Sequence, residues 1–102
     1  MNGAAPLPIL VLAIIDLPRG HEAEGLQAVH RLAAASRAEA GCMSYRVLRS
    51  VRAPARVVIQ EEWRDAAAVE THRTSDHVAM FRSHATASGM VVWASGFDVA
   101  DG

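Results

Sequence analysis

The side chains of this chain that could carry chemistry are few: five histidines, two tryptophans, one tyrosine, one cysteine and two adjacent glutamates, Glu61 and Glu62. Histidine is the side chain best suited to proton transfer near neutral pH, and a neighbouring carboxylate can orient it or hold a substrate hydroxyl. The sequence contains no GxGxxG loop, no GxxxxGK[ST] loop and no GxSxG turn, so a nicotinamide, flavin or ATP enzyme is not expected. The residue types favour acid–base chemistry.

Glu61 is the most informative carboxylate. Side chains of a strand alternate between its two faces, so Glu61 shares a face with Ile59 and Trp63, and that face is otherwise apolar. A charge on such a face must find a partner. The sequence leaves two interpretations open. One is a structural carboxylate, in an ion pair with an arginine such as Arg46 or Arg82 or hydrogen-bonded to a helix end, and the other is a pocket carboxylate that orients a histidine or holds a substrate hydroxyl.

His72 and His77 stand on either side of a short connection between two predicted helices. That connection could bring both rings over the same end of the sheet, although a surface or helix-terminal position is the simpler interpretation for each. No metal site is expected, because three or more ligands would have to converge and the sequence has no HExxH motif or close Cys/His pair.

The aromatic residues suggest a ligand slot. If Trp63 and Tyr45 share the sheet face beneath the helices, they would line an apolar slot suited to a flat aromatic ligand, whereas the alternative is ordinary core packing. Cys42 is expected to be a small buried apolar residue rather than a nucleophile.

The predicted elements around these residues alternate between strand and helix periodicity. Strands are predicted over Ile9–Asp16, Cys42–Ser50, Ala55–Trp63 and, after Gly89, Met90–Val99. Helices are predicted over Glu22–Ala40 with Gly41 as C-cap, from the cap Asp65 through His72, and from Asp76 to about Thr86 with Ser75 as N-cap. This βαββαβ order predicts an α+β fold, the ferredoxin-like split βαβ with an antiparallel four-stranded sheet.

Composition sets the class of protein. The 102 residues are 51% hydrophobic and 21% charged, with a net charge of −1 and one cysteine. These values predict a single domain over residues 1–102, with 1–7 as a loose tail, no nucleic-acid partner and a reducing, cytoplasmic setting. The apolar start is too short for a membrane helix. Because the first and last strands are apolar on both faces, we expect a homodimer in which two sheets face each other.

Three blocks of the chain, residues 38–49, 57–65 and 72–81, are similar in order and spacing to the antibiotic biosynthesis monooxygenase family. The resemblance implies a dimeric α+β barrel. It also implies oxidation of a phenolic, anthrone or quinol-type aromatic substrate by molecular oxygen, without metal or flavin.

The resemblance further implies roles for individual residues. The family's E-x-W motif falls on Glu61 and Trp63, and its H-x-x-S-x-H motif begins at His72 and ends at His77. Either histidine would be the catalytic base, with Glu61 orienting it. The substrate ring would lie against three aromatic side chains: Trp63, Tyr45 and Phe81.

Other functions on the same fold remain open. One is a non-catalytic member that binds a small aromatic compound or acts in a stress response, and another is an oxygen-independent isomerase or cyclase. A haem-degrading branch of the superfamily uses an Asn on the first strand, and residues 9–15 contain none, so the sequence argues against that activity.

Overall fold

Four strands and three helices make up the computed structural model, which describes residues 8–101. The predicted tail, residues 1–7, lies outside the described residues. The elements follow in this order: β1 Ile9–Asp16, α1 Glu22–Arg37, β2 Cys42–Arg49, β3 Arg56–Trp63, α2 Ala66–Arg73, α3 Asp76–Ser88 and β4 Val91–Phe97. No helix within this range is both long and apolar enough to cross a membrane.

The sheet is antiparallel throughout, with the strand order β2-β3-β1-β4. This order and the succession of elements confirm the predicted ferredoxin-like α+β fold. Strand β1 is central and has the predicted bounds. It pairs with β3 on one side, where Val11 lies opposite Glu61, and with β4 on the other, where Val11 lies opposite Gly96.

The core lies between the helices and one face of the sheet. Alternate residues of β1 and β3 point into it, and the fully buried ones include Ile15, Val57, Ile59 and Trp63. Helix α1 contributes Val29, among other residues, from its apolar stripe. Glu61 belongs to the same inward-facing row, so its carboxylate is buried among apolar side chains.

The opposite face of the sheet is open. The register places the outward side chains of β1 beside those of β4, with Ile14 opposite Trp93 and Leu10 opposite Phe97. Trp93 is 52% exposed and Phe97 is 43% exposed. This open apolar face is referred to below as the outer sheet face.

The end of α1 differs from the prediction. The helix stops at Arg37 with Ala38 as its C-cap, three residues before the predicted end at Ala40. Gly41 is not a left-handed cap, since only Gly20 and Gly89 have positive φ among the described glycines. Instead Gly41 is buried against α2, where an added Cβ would overlap the Cβ of Ala68. Glycine is needed here for the close approach of α2 to the chain before β2.

The two later helices begin where the sequence predicts. Asp65 caps α2 by accepting a hydrogen bond from the backbone N–H of Ala68, and Ser75 caps α3 by accepting one from Val78. Helix α3 runs two residues beyond its predicted end, and Gly89 is its left-handed C-cap at φ 79° rather than the start of the last strand. Strand β4 is shorter at both ends than predicted and ends at Phe97.

Candidate active site

Strand β3 provides the first two side chains of the site. Glu61 and Trp63 are two residues apart, so both project from the same face, and the indole Nε1–H of Trp63 donates a hydrogen bond of 2.8 Å to Oε1 of Glu61. Trp63 has no exposed surface, and Glu61 is 4% exposed. Glu61 forms no ion pair with an arginine among residues 8–101; its titratable neighbour is His72, whose Nε2 is 3.8 Å away. The interpretation that Arg46 or Arg82 neutralises it is therefore wrong.

Helix α2 places His72 directly against this pair. The imidazole is tilted by 34° over the indole of Trp63, with ring centroids 4.4 Å apart. Tyr45 of β2 lies edge-on to both rings, at 6.0 Å from His72 and 6.4 Å from Trp63. The Nε2 atom of His72 is 3.8 Å from Oε1 of Glu61. The buried aromatic rings thus fix the imidazole in front of the carboxyl group.

Glu39 is the functional residue that sequence reasoning missed. It lies in the connection between α1 and β2, and its Oε2 is 2.6 Å from Nδ1 of His72. The same oxygen is 2.8 Å from Nε2 of His77, in the first turn of α3. The structure therefore brings His72 and His77 together on one carboxylate oxygen. The residue that hydrogen-bonds His72 and orients its ring is therefore Glu39 and not Glu61, because Oε1 of Glu61 is too far from Nε2 of His72 for a hydrogen bond.

This contact fixes the tautomer of His72. A carboxylate can only accept a hydrogen bond, so the proton of a neutral His72 lies on Nδ1 and is donated to Glu39. The other nitrogen, Nε2, then carries a free lone pair on the side of Glu61. Burial lowers the pKa of His72 below its ordinary value, although the hydrogen bond and charge of Glu39 oppose this effect. The ring is consequently a neutral base at neutral pH.

The two other titratable groups of the site are also shifted by burial. Burial raises the pKa of Glu61 to about 7, against the hydrogen bond from Trp63, and the negative charge of Glu39 adds to the increase. Burial and the charge of Glu61 raise the pKa of the Tyr45 phenol. Near neutral pH the site therefore contains a neutral imidazole, a partly protonated carboxyl group and a neutral phenol.

A cleft of about 290 Å³ opens onto this group. Glu61 and His72 line it, and its other walls come from β1, α2, α3 and β4. The remaining lining residues are mostly apolar or small: Val11, Val69, Arg73, Val78, Arg82, Ala94, Ser95 and Gly96. The volume is at the small end of the range of ligand pockets, which is roughly 300–1,000 Å³. The volume suits a small ligand.

The three predicted ring-binding residues lie elsewhere. Trp63 and Tyr45 are buried behind His72 and do not line the cleft. Phe81 lines a separate cavity of about 380 Å³ between α1 and α3, together with His77 and His84. The structure therefore gives Trp63 and Tyr45 contacts with the imidazole, and apart from Glu61, His72 and Arg82 the cleft is lined by residues that the sequence did not single out. Cys42 is half-buried, and burial raises the pKa of its thiol.

Solved structures share this fold over nearly their whole length. PA3566 from Pseudomonas aeruginosa is 28% identical, with 96% of this chain and 99% of that chain covered at a TM-score of 0.85. Rv0793 from Mycobacterium tuberculosis is 26% identical; the match covers 93% of this chain and 97% of that chain, with a TM-score of 0.79. A Deinococcus radiodurans protein described as a candidate antibiotic biosynthesis monooxygenase is 20% identical, with 92% and 94% covered at 0.86, and this likeness concerns the fold alone.

The sequence itself identifies the family. None of the curated proteins matches the chain. The family model described as antibiotic biosynthesis monooxygenase matches residues 8–83, a range that contains Glu39, Glu61, His72 and His77. The match covers three quarters of the chain and confirms the resemblance seen in its three sequence blocks. The chain belongs to the antibiotic biosynthesis monooxygenase family.

Proposed function

We propose that this protein is a cofactor-independent monooxygenase that oxidises a phenolic, anthrone or quinol-type aromatic compound with molecular oxygen. The observation that carries the proposal is the state of His72. Its Nδ1–H is donated to Glu39, and its unprotonated Nε2 lies beside Glu61 at a small cleft. A positioned, neutral imidazole in a mostly apolar cleft is suited to removing a weakly acidic proton. Membership of the family supports oxygen as the co-substrate.

The reaction balances without an added reductant. For an anthrone, His72 takes a proton from the ring CH₂ group, and the resulting electron-rich anion transfers electrons to O₂. The overall change is R₂CH₂ + O₂ → R₂C=O + H₂O, in which one oxygen atom enters the substrate and the other leaves as water. All four electrons come from the substrate. The protein has to supply a base, a dry cleft and stabilisation of the anion.

The other residues of the site have supporting roles in this proposal. The protonated fraction of Glu61 donates a hydrogen bond to the substrate oxygen on which negative charge develops, and Arg82 in the cleft wall adds a positive charge. Trp63 and Tyr45 hold the imidazole, since both rings contact it and neither reaches the cleft.

The test is oxygen consumption by metal-stripped protein with a panel of anthrones and naphthohydroquinones, corrected for autoxidation. General base catalysis contributes roughly 10²–10⁴-fold, so His72→Gln is expected to lose the catalysed rate by that factor. His30→Gln is the matched control, because His30 is exposed on α1. Catalysed uptake that His72→Gln retains in full would contradict the assignment of the base.

An oxygen-independent isomerase is the second candidate. It is favoured by the 3.8 Å distance between a neutral base and a partly protonated acid, since such a pair can remove a proton and return it. Formation of a product under argon, at the rate seen in air, would identify this activity and exclude the monooxygenase.

We also propose that the protein acts as a homodimer joined through the outer sheet face. Trp93 and Phe97 expose half or nearly half of their side chains there, beside Leu10 and Ile14 of β1. Monomeric proteins rarely leave a contiguous apolar face of this kind in water. A second copy offers the same apolar surface, so face-to-face pairing of two sheets would bury both.

A further inference from the structure

Glu39, His72 and His77 form a compact group of potential metal ligands. One ligand atom of each residue lies within 4.8 Å of the other two. Oε2 of Glu39 contacts both Nδ1 of His72 and Nε2 of His77. The side chains are 13%, 11% and 26% exposed respectively, so the group is shielded but open to solvent on the side of His77. Each ligand comes from a different segment: the connection after α1, helix α2 and helix α3.

We propose that these three residues bind one divalent transition-metal ion, of which Zn²⁺ is the representative. Two imidazole nitrogens and one carboxylate oxygen are a donor set that zinc accepts with water in the fourth position. The same set disfavours Mg²⁺ and Ca²⁺, because those ions require oxygen ligands. The sequence did not suggest this site, since Glu39 was not recognised as a partner of the two histidines.

Zinc binding requires an adjustment of all three side chains. Ligand atoms at roughly 2.0–2.1 Å from a tetrahedral zinc ion are about 3.3 Å apart. The hydrogen bonds from the two histidines to Glu39, 2.6 and 2.8 Å long, would therefore open by about 0.5–0.7 Å. The two histidine nitrogens, which lie within 4.8 Å of each other, would have to adopt the same spacing. Rotation of the Glu39 side chain can supply the first of these movements, because Glu39 lies in a connection rather than in a helix.

Metal binding would reverse the tautomer of His72. The ion would take the lone pair of Nδ1, so the proton of the neutral ring would move to Nε2, on the side of Glu61 and the cleft. An imidazole in that state has no lone pair for the substrate. Bound zinc would thus inhibit the reaction; this consequence rests on the proposed function, whereas binding of the ion depends only on the three ligands.

The binding test is a titration of metal-stripped protein with Co²⁺, followed by its visible absorption, and with Zn²⁺ in competition with a chromophoric chelator. One ion per chain is expected. Loss of a second-shell partner costs roughly 10–100-fold in metal affinity, and His77→Gln, which removes a direct ligand, should weaken binding by at least about that much. His30→Gln should bind as the wild type does. Circular dichroism checks that each variant is folded.

Two results would overturn the proposal: wild-type protein that binds neither ion, or His77→Gln that binds Zn²⁺ as tightly as wild type. The inhibitory effect is tested separately, as the ratio of the rates with and without Zn²⁺ for each protein. Saturating Zn²⁺ should abolish wild-type turnover and should affect His77→Gln far less. If zinc binds as expected and turnover is unchanged, the inhibitory role is wrong while the metal site stands. If no turnover occurs even without metal, the proposed function fails and the Co²⁺ spectrum still decides the site.

Discussion

At the scale of single residues, one oxygen atom of Glu39 determines which nitrogen of His72 carries the proton. Oε2 of Glu39 accepts from Nδ1 of His72, so the lone pair is at Nε2, on the side of the cleft. An amide in place of this carboxylate could donate to Nδ1 and thereby move the proton to Nε2. In the proposed reaction Glu39 is thus a positioning residue, whose effect passes through the tautomer of the imidazole.

Glu39→Gln is accordingly expected to reduce turnover by about 10²–10⁴-fold, the range that loss of a positioned base produces. Long-range ¹H–¹⁵N correlation spectra should show the Nδ1–H tautomer of His72 in the wild type and a change of tautomer in Glu39→Gln. The resonances of exposed His30 serve as the internal control. If the His72 tautomer stays the same in the variant while activity is lost, Glu39 acts in some other way.

Glu61 should make the stability of the protein depend on pH. Burial raises its pKa to about 7 in the folded state, compared with about 4.3 in an unfolded chain. The stability that this group contributes is fully present below about pH 4 and is lost as the pH rises through 7. Glu61→Gln removes this titration, so its free energy of unfolding relative to wild type should increase between pH 5 and pH 8, by an amount on the order of 2–3 kcal/mol.

Chemical denaturation of both proteins at the two pH values measures this change. Glu62→Gln is the matched control, because Glu62 is the next residue of β3 and points to the opposite face; that variant should keep the pH dependence of the wild type. A constant difference between Glu61→Gln and wild type from pH 5 to pH 8 would show that the Glu61 carboxyl group has an ordinary pKa.

At the scale of elements, most of the fold was predictable and one helix end was not. The alternating pattern of side chains predicts the bounds of β1 and β3 to within one residue. The capping side chains of Asp65 and Ser75 predict the starts of α2 and α3. The residues after Arg37 continue the helical periodicity, so the sequence predicts that α1 ends at Ala40. A helix of that length gives no reason to turn Glu39 toward the two histidines. The misplaced helix end and the missed residue therefore have the same cause.

The close contact between Gly41 and α2 gives a prediction for the packing of this helix. An added methyl group would overlap Ala68 and push α2 away from β3, together with His72. Gly41→Ala is expected to cost about 1–3 kcal/mol of stability, as overpacking typically does. Gly96→Ala is the matched control, because its Cβ would lie at an ordinary contact distance of 3.7 Å from Ile9.

Thermal denaturation compares these two variants, and adding Ala68→Gly to Gly41→Ala should recover part of the loss by removing the overlapping methyl group. Equal stabilities for Gly41→Ala and Gly96→Ala would mean that α2 can move away at no cost. In that case Gly41 would have no special role in positioning His72.

At the scale of the whole molecule, the outer sheet face predicts the state of assembly. Light scattering at micromolar concentration should give the wild type twice the mass of one chain. Trp93→Glu places a charge on the outer sheet face and should yield a monomer, whereas Val51→Glu should not, because Val51 is 96% exposed in the connection between β2 and β3. A wild-type protein that is monomeric at this concentration would contradict the dimer.

The residues proposed to do the chemistry and those that shape the opposite wall of the cleft lie on different elements. Glu61 and His72 stand on β3 and α2, whereas Ala94 and Gly96, on the inward face of β4, form part of the opposite wall. Larger side chains at these two positions would shorten the cleft without touching the base or its carboxylate partners. If the proposed function holds, randomising Ala94 and Gly96 alone would change which substrates enter the cleft, while Glu61, His72 and the outer-face residues of the same strand stay unchanged.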